Sequence, residues 1–295
     1  MSQKPKISVM QITNRFGNID ILWANMKRQT EQDFELVLVD ALWRSREEEV
    51  KEYINDPRLK YIRQNDKVEG AYTNLAHADN QGFAACTGEL IVCLQDYIYI
   101  PATALEKFWA AHKAYDGKIL ITGVGHQYDF PGVEQIISPQ GKITVFERPY
   151  TFKPTHQCWQ DPRMRTDQGT FYMCQPPDWE LNYAAIPNKV IQELGGMDEN
   201  FDFHGFAWDN VNIAVRADML GYRPYIDQTN ECLGFNHDGW WPNPLKVERI
   251  NPGKYHFEQI NKMAKGEIPI RLDYLDKKCY TSDKTVESEK EKPDK

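Results

Sequence analysis

Polar side chains gather directly after the apolar runs of this chain. Ile7–Gln11 is followed by Thr13, Asn14 and Arg15, Phe34–Val39 by Asp40, and Leu90–Leu94 by Gln95, Asp96 and Tyr97. In an open α/β sheet, ligands bind beyond the carboxyl ends of the strands. These three points therefore offer hydroxyl, amide, guanidinium and carboxylate groups to a ligand. Asp40 suits two roles, accepting hydrogen bonds from a base or ribose or capping a turn. Asp209, Asn212 and Arg216 recur at i, i+3 and i+7, one polar stripe of a helix, with Val211 and Val215 on another side. A carboxylate there can act as a general base; an aspartate at a helix start is equally a cap. His237, in Phe235-Asn236-His237-Asp238, reads as a metal ligand or as a structural histidine. Asp198 and Glu199 either position an acceptor or cap a turn.

A second kind of chemistry lies in Phe146–Arg165, which carries four Lys or Arg against two acids. Tyr150, Phe152 and Trp159 interleave with Arg148, Lys153, Arg163 and Arg165. Aromatic faces stack on sugars or bases, and guanidinium groups grip phosphates; a plain surface loop is the competing reading. Trp240, Trp241 and Lys246 form another such patch. The chain has no G-x-G-x-x-G and no G-x-x-x-x-G-K-[ST], so a dinucleotide fold and a P-loop NTPase lose their main support. Six cysteines include no C-x-x-C pair, which reads as free thiols in a reducing, cytoplasmic setting.

Alternating elements must position these groups. Strands are expected at 7–11, 34–39, 59–63, 90–94 and 118–124. Helices are expected around Ile19–Met26 with Asn18 near its cap, from Ser45 into Glu47–Glu49, over Thr73–Thr87, and after Pro101 with Leu105, Phe108 and Trp109 on one side. Continuous apolar strands alternating with helices predict a mostly parallel central sheet covered by helices on both faces. From Gly125 to Pro177 periodicity is lost, and a stretch that long is expected to bind something. Further on, helices are expected at 187–194, 208–220 and 255–264, and strands at 222–226 and 232–235. Residues 281–295 hold five acids, four lysines and Val286 as their only aliphatic side chain, so a disordered charged tail is expected.

Composition sets outer bounds. The 295 residues are 41% hydrophobic and 26% charged, with a formal net charge of −8. No apolar run approaches the roughly 20 residues of a membrane span, and the start lacks a signal-peptide core. The acidity weighs against a wholly basic nucleic-acid coat.

One resemblance orders these observations. Asn80–Tyr97 is similar to the N-x-G-x-x-x-A-x-G-E-x-I-x-x-L-D-x-D stretch of family 2 glycosyltransferases of the GT-A fold. The opening Ile7–Arg15, Gln29 and Asp40 resemble that family's first nucleotide-binding unit. Gly195–Phe201 resembles its G-G-F-D-E-x-F element, and Phe206–Arg216, closed by Gly221, the following E-D-x-D-x-x-x-R-x-x-x-x-G helix. The resemblance implies a GT-A type α/β domain over 1–280, with a donor half at 1–124 and an acceptor half at 125–280. It implies a nucleotide-sugar donor held by Thr13, Asn14, Arg15, Asp40, Asn80, Gln95 and Asp96. It further implies Mn2+ or Mg2+ on Asp96 and His237, Asp209 as the base of an inverting transfer, and acceptor contacts from Asp198, Glu199, Trp208, Arg163 and Arg165. The sequence departs from the family where Gln95 and Tyr97 replace the outer acids of D-x-D and Trp208 replaces a glutamate. The expected acceptor is a cell-surface glycan or, as a second class, a hydroxymethylated base in phage DNA. The alternatives are a catalytically inactive nucleotide-sugar or glycan-binding module and a nucleotidyltransferase.

Overall fold

The computed structural model describes residues 4–15, 19–46, 50–51, 53–129, 156–165, 167–205, 207–235 and 252–275. The strands β1 (Ile7–Thr13), β2 (Phe34–Asp40), β3 (Leu59–Arg63) and β4 (Leu90–Leu94) join in the order β3-β2-β1-β4, all parallel. Every residue of β2 and β4 is buried, because helices cover both faces. Alternate side chains divide between two cores. Val9, Leu38 and Val92 pack against α1 (Ile19–Arg28) and α3 (Ala104–Ala114). Met10, Val37 and Ile91 face the opposite side, toward α2 (Leu75–Ala85), α4 (Asn188–Leu194) and α6 (Asp209–Met219).

The sheet continues past β4 through β9 (Tyr183–Pro187), which pairs antiparallel with both β4 and β6 (Ile119–Asp129). Beyond β6 lies β10 (Arg223–Phe235), parallel to it, and then the two-residue β5 (Ile98–Tyr99). The short β7 (His156–Gln160) and β8 (Phe171–Met173) pair with β6 and β10. Two smaller helices, α5 (Phe201–His204) and α7 (Pro252–Ala264), complete the described elements.

Two expectations need correction. The stretch from Gly125 is not all irregular: β6 runs on to Asp129, and β7 and β8 follow. Those strands are stabilised by partners far away in sequence, which local periodicity does not register. The two strands expected at 222–226 and 232–235 are one strand whose register with β6 shifts between Asp227 and Glu231. There the Asp227 carboxylate accepts hydrogen bonds from the backbone N–H and hydroxyl of Thr229, 2.9 and 2.7 Å, a local turn that interrupts the ladder. Asn18, Glu47–Glu49, most of the basic aromatic stretch, His237, Trp240, Trp241, Lys246 and the 281–295 tail lie outside the described residues.

Candidate active site

A cleft of about 800 Å3 opens at the carboxyl ends of β1 and β4. The parallel register that sets Gln11 beside Leu94 also brings the two strand ends together. Thr13 Oγ1 donates to Asp96 Oδ2 at 3.4 Å, and Arg15 Nη1 donates to Asp96 Oδ1 at 2.8 Å. Asp96 is buried, and this ion pair fixes its direction. Gln95 is held through its backbone: its carbonyl accepts from Gln11 Nε2 at 3.0 Å, and its N–H donates to the Asn182 carbonyl at 2.6 Å. Tyr97 adopts a left-handed φ of 60° and is buried, so it turns away from a ligand position beside Asp96. Thr13, Asn14, Arg15, Gln95 and Asp96 all line the cleft.

Asp209 lines the same cleft, at the start of α6. Ala207 and Trp208, immediately before it, take left-handed φ values of 79° and 74°. For residues with a Cβ this conformation costs roughly 1–2 kcal/mol each, strain of the kind that gathers at functional sites. Trp208 also lines the cleft and packs its ring against His256 and Phe257. Burial pushes the Asp209 carboxyl above its ordinary pKa; hydrogen bonds from backbone N–H groups pull the other way, and the charge of Asp202 adds to the rise. A carboxylate with raised proton affinity is a better base.

Several expected site residues do not line the cleft and are bonded to other parts of the chain. Asp40 has 0% exposure and does not line the cleft. It pairs with the buried Arg46 at 3.5 Å and accepts from the Tyr61 hydroxyl and the Leu42 N–H, both at 2.8 Å. Asn80 is also fully buried. It accepts from the Met197 N–H at 2.7 Å and donates to the Met197 carbonyl and Glu199 Oε1, each at 3.0 Å. Asp198 is a buried hub that accepts from the hydroxyls of Tyr255 and Tyr274 and from the backbone and side chain of Asn200. Glu199 meets Asn80 and His77. Arg163 is bound to Asp161 and to the Asp178 carbonyl, and Arg165 is exposed; neither lines the cleft. The polar stripe of α6 turns inward beyond Asp209. Asn212 is buried, and Arg216 donates to the carbonyls of Leu194, Gly196 and Ile270, its pKa pushed down by burial to about 10.

The structure adds residues that the sequence reading passed over. Asp79 lines the cleft from α2, and Lys67 and Tyr72 stand at its mouth. Asp202 caps α2 from a distant segment, accepting from the N–H groups of Leu75, Ala76 and His77 and from the Thr73 hydroxyl. Asp79 had a legible signal, a lone carboxylate in an alanine-rich helical face. Asp202 had none, because its partners lie about 125 residues upstream in the chain.

A divalent cation would draw on Asp96 and His237. His237 lies outside the described residues, and Asp96 already carries Arg15. Among the described residues no three His, Cys, Asp or Glu converge on a point. The described groups alone make no complete donor set.

A doubly covered sheet with a polar cleft at its strand ends, extended by β9, β6 and β10, is the GT-A type of glycosyltransferase architecture. The chain belongs to glycosyl transferase family 2, whose model matches residues 9–176. Among solved structures it is similar to the crystal structure of GalNAc-T7 with UDP, GalNAc and Mn2+, at a TM-score of 0.56 and 15% identity. That match covers 81% of this chain and 46% of the other, a likeness of fold. No curated protein matches in sequence. No helix among the described residues is long and apolar enough to cross a membrane.

Proposed function

We propose that this chain transfers a sugar from a nucleotide-sugar donor to a hydroxyl of a glycan acceptor, with inversion. The observation that carries the reading is that Asp209 and the Thr13–Arg15–Asp96 cluster line one cleft. Arg15, aimed by Asp96, offers positive charge to the donor diphosphate, with Lys67 as a second cation at the rim. Asp209 takes the proton of the acceptor hydroxyl as that oxygen attacks the anomeric carbon. The bond from this carbon to the diphosphate oxygen breaks, its electron pair leaves with the nucleoside diphosphate, and attack from the opposite face inverts the centre. Thr13, Asn14 and Gln95 are assigned to the donor, and Trp208 supplies an aromatic face to the acceptor. Asp40, Asn80, Asp198 and Glu199 are assigned to positioning, through the contacts described above.

A DNA acceptor rested on the basic aromatic stretch. Of its described basic residues, Arg163 is committed to Asp161 and the Asp178 carbonyl, and neither it nor Arg165 lines the cleft. A glycan is therefore the acceptor class proposed. The test is a screen of UDP-, GDP- and dTDP-sugars, with and without Mn2+, read as released nucleoside diphosphate and, for active pairs, as the anomeric configuration of the product. Inverted product supports the reading. Retained configuration overturns the single-displacement mechanism, and donor binding without any transfer or hydrolysis favours the inactive binding module.

A further inference from the structure

Asp79 is 4% exposed and lines the cleft, yet among the described residues its carboxyl makes no hydrogen bond or ion pair. Leu75, Ala78 and Asp79 line the cleft together, at i, i+3 and i+4, so one face of α2 looks into it. Gly82, a further turn along, lets that face lie close on the sheet: a Cβ there would stand 2.4 Å from Met10 Sδ. Met10 and Cys93 pair directly across β1 and β4, and both line the cleft. Asp79 thus stands over the strand ends just before they deliver Thr13, Arg15 and Asp96. Its carboxyl opens onto the cleft, where a ligand group can meet it. Burial, with the charges of Asp209 and Asp202, holds the Asp79 carboxyl well above the ordinary carboxylate range.

We propose that Asp79 is a specificity-determining residue that hydrogen-bonds a ring hydroxyl of the sugar being transferred. The inference rests on the reading of the cleft given above. The diphosphate lies against Arg15, and the acceptor hydroxyl lies against Asp209. The sugar's anomeric carbon is bonded to the first and attacked by the second, so its ring lies between them, and Asp79 lines the same cleft close enough to Asp209 to feel its charge. A second carboxyl beside a diphosphate would repel it, whereas a neutral, hydroxyl-bearing ring gives the carboxyl the partner it lacks. A site built around such a hydrogen bond rejects analogues that misplace or lack the hydroxyl.

The experiment measures binding by calorimetry for UDP alone and for UDP-glucose, UDP-galactose, UDP-GlcNAc and UDP-GalNAc, on wild type, Asp79→Ala and Asp79→Asn. The expected result is unchanged UDP affinity in the variants and a loss of about tenfold or more in the preferred UDP-sugar, with the preference among epimers flattened. Both variants are expected to melt within a few degrees of wild type, since neither breaks a hydrogen bond or ion pair among the described residues. Equal losses for UDP and UDP-sugar, or no loss for either, overturn the assignment. If wild type binds a GDP- or dTDP-sugar of the screen instead, the same comparison is made with that nucleotide and its epimeric sugars; wild type binding no nucleotide sugar overturns the reading of the cleft as a donor site, and this assignment with it.

Discussion

Asp209 and Asp40 are both aspartates beside the end of a regular element, and their surroundings give them opposite work. Asp209 faces a cleft and is held above its ordinary pKa mainly by burial. As a base it must be deprotonated to accept the acceptor's proton, so transfer rises with pH through its pKa. The acid limb of kcat/KM is expected above the value of about 4 typical of a free aspartate, and a limb at or below that value would remove Asp209 from the proton transfer. Asp40 instead neutralises Arg46, and both side chains have 0% exposure. Asp40→Asn removes a buried negative charge from Arg46 and disturbs the bonds from Tyr61 and Leu42, with an expected loss of about 1–3 kcal/mol in denaturant unfolding. From sequence both aspartates carried a functional and a capping reading, Asp40 as a nucleotide contact and Asp209 as the general base. What separates them is the placement of Arg46 and Tyr61, which no spacing rule encodes.

At the scale of elements, the site depends on how α2 and α6 are tied to the turn after α4. Gly195 and Gly196 take left-handed φ values of 69° and 91°. A Cβ on Gly195 would lie 1.7 Å from the Leu272 carbonyl oxygen, a backbone atom that cannot step aside. Gly195→Ala is therefore expected to cost about 1–3 kcal/mol from overpacking and roughly 1–2 kcal/mol more from the left-handed backbone. Chemical denaturation measures this, and a loss below 1 kcal/mol would show that the 270–275 segment does not pack as described. The turn then orders both walls: Met197 and Glu199 hold Asn80 of α2, and the Gly196 carbonyl holds Arg216 of α6. The glycine pair was legible as a helix stop. Its role in setting the cleft width was not, because that role needs partners from three distant segments.

At the scale of the molecule, one sheet spans both halves of the described chain. β9, from the later half, is inserted between β4 and β6 of the earlier one. The parallel unit β3-β2-β1-β4 was readable in the sequence because fully buried strands are continuous apolar runs. β3 and β4 match their expected bounds, 59–63 and 90–94. The antiparallel insertion and the joined β10 were not readable, since their pairing is non-local. That insertion carries the polypeptide back across the sheet, and α6 brings Asp209 to the cleft that Asp96 also lines. In the proposed reaction this carboxylate does the proton transfer in the cleft that holds the donor. The most direct measurement compares Asp209→Asn with wild type in both donor affinity and transfer rate, using a donor and acceptor identified by the screen. The expected result is donor affinity within twofold and kcat/KM for transfer lower by on the order of 10²–10⁴-fold; transfer within a few-fold of wild type would contradict the account.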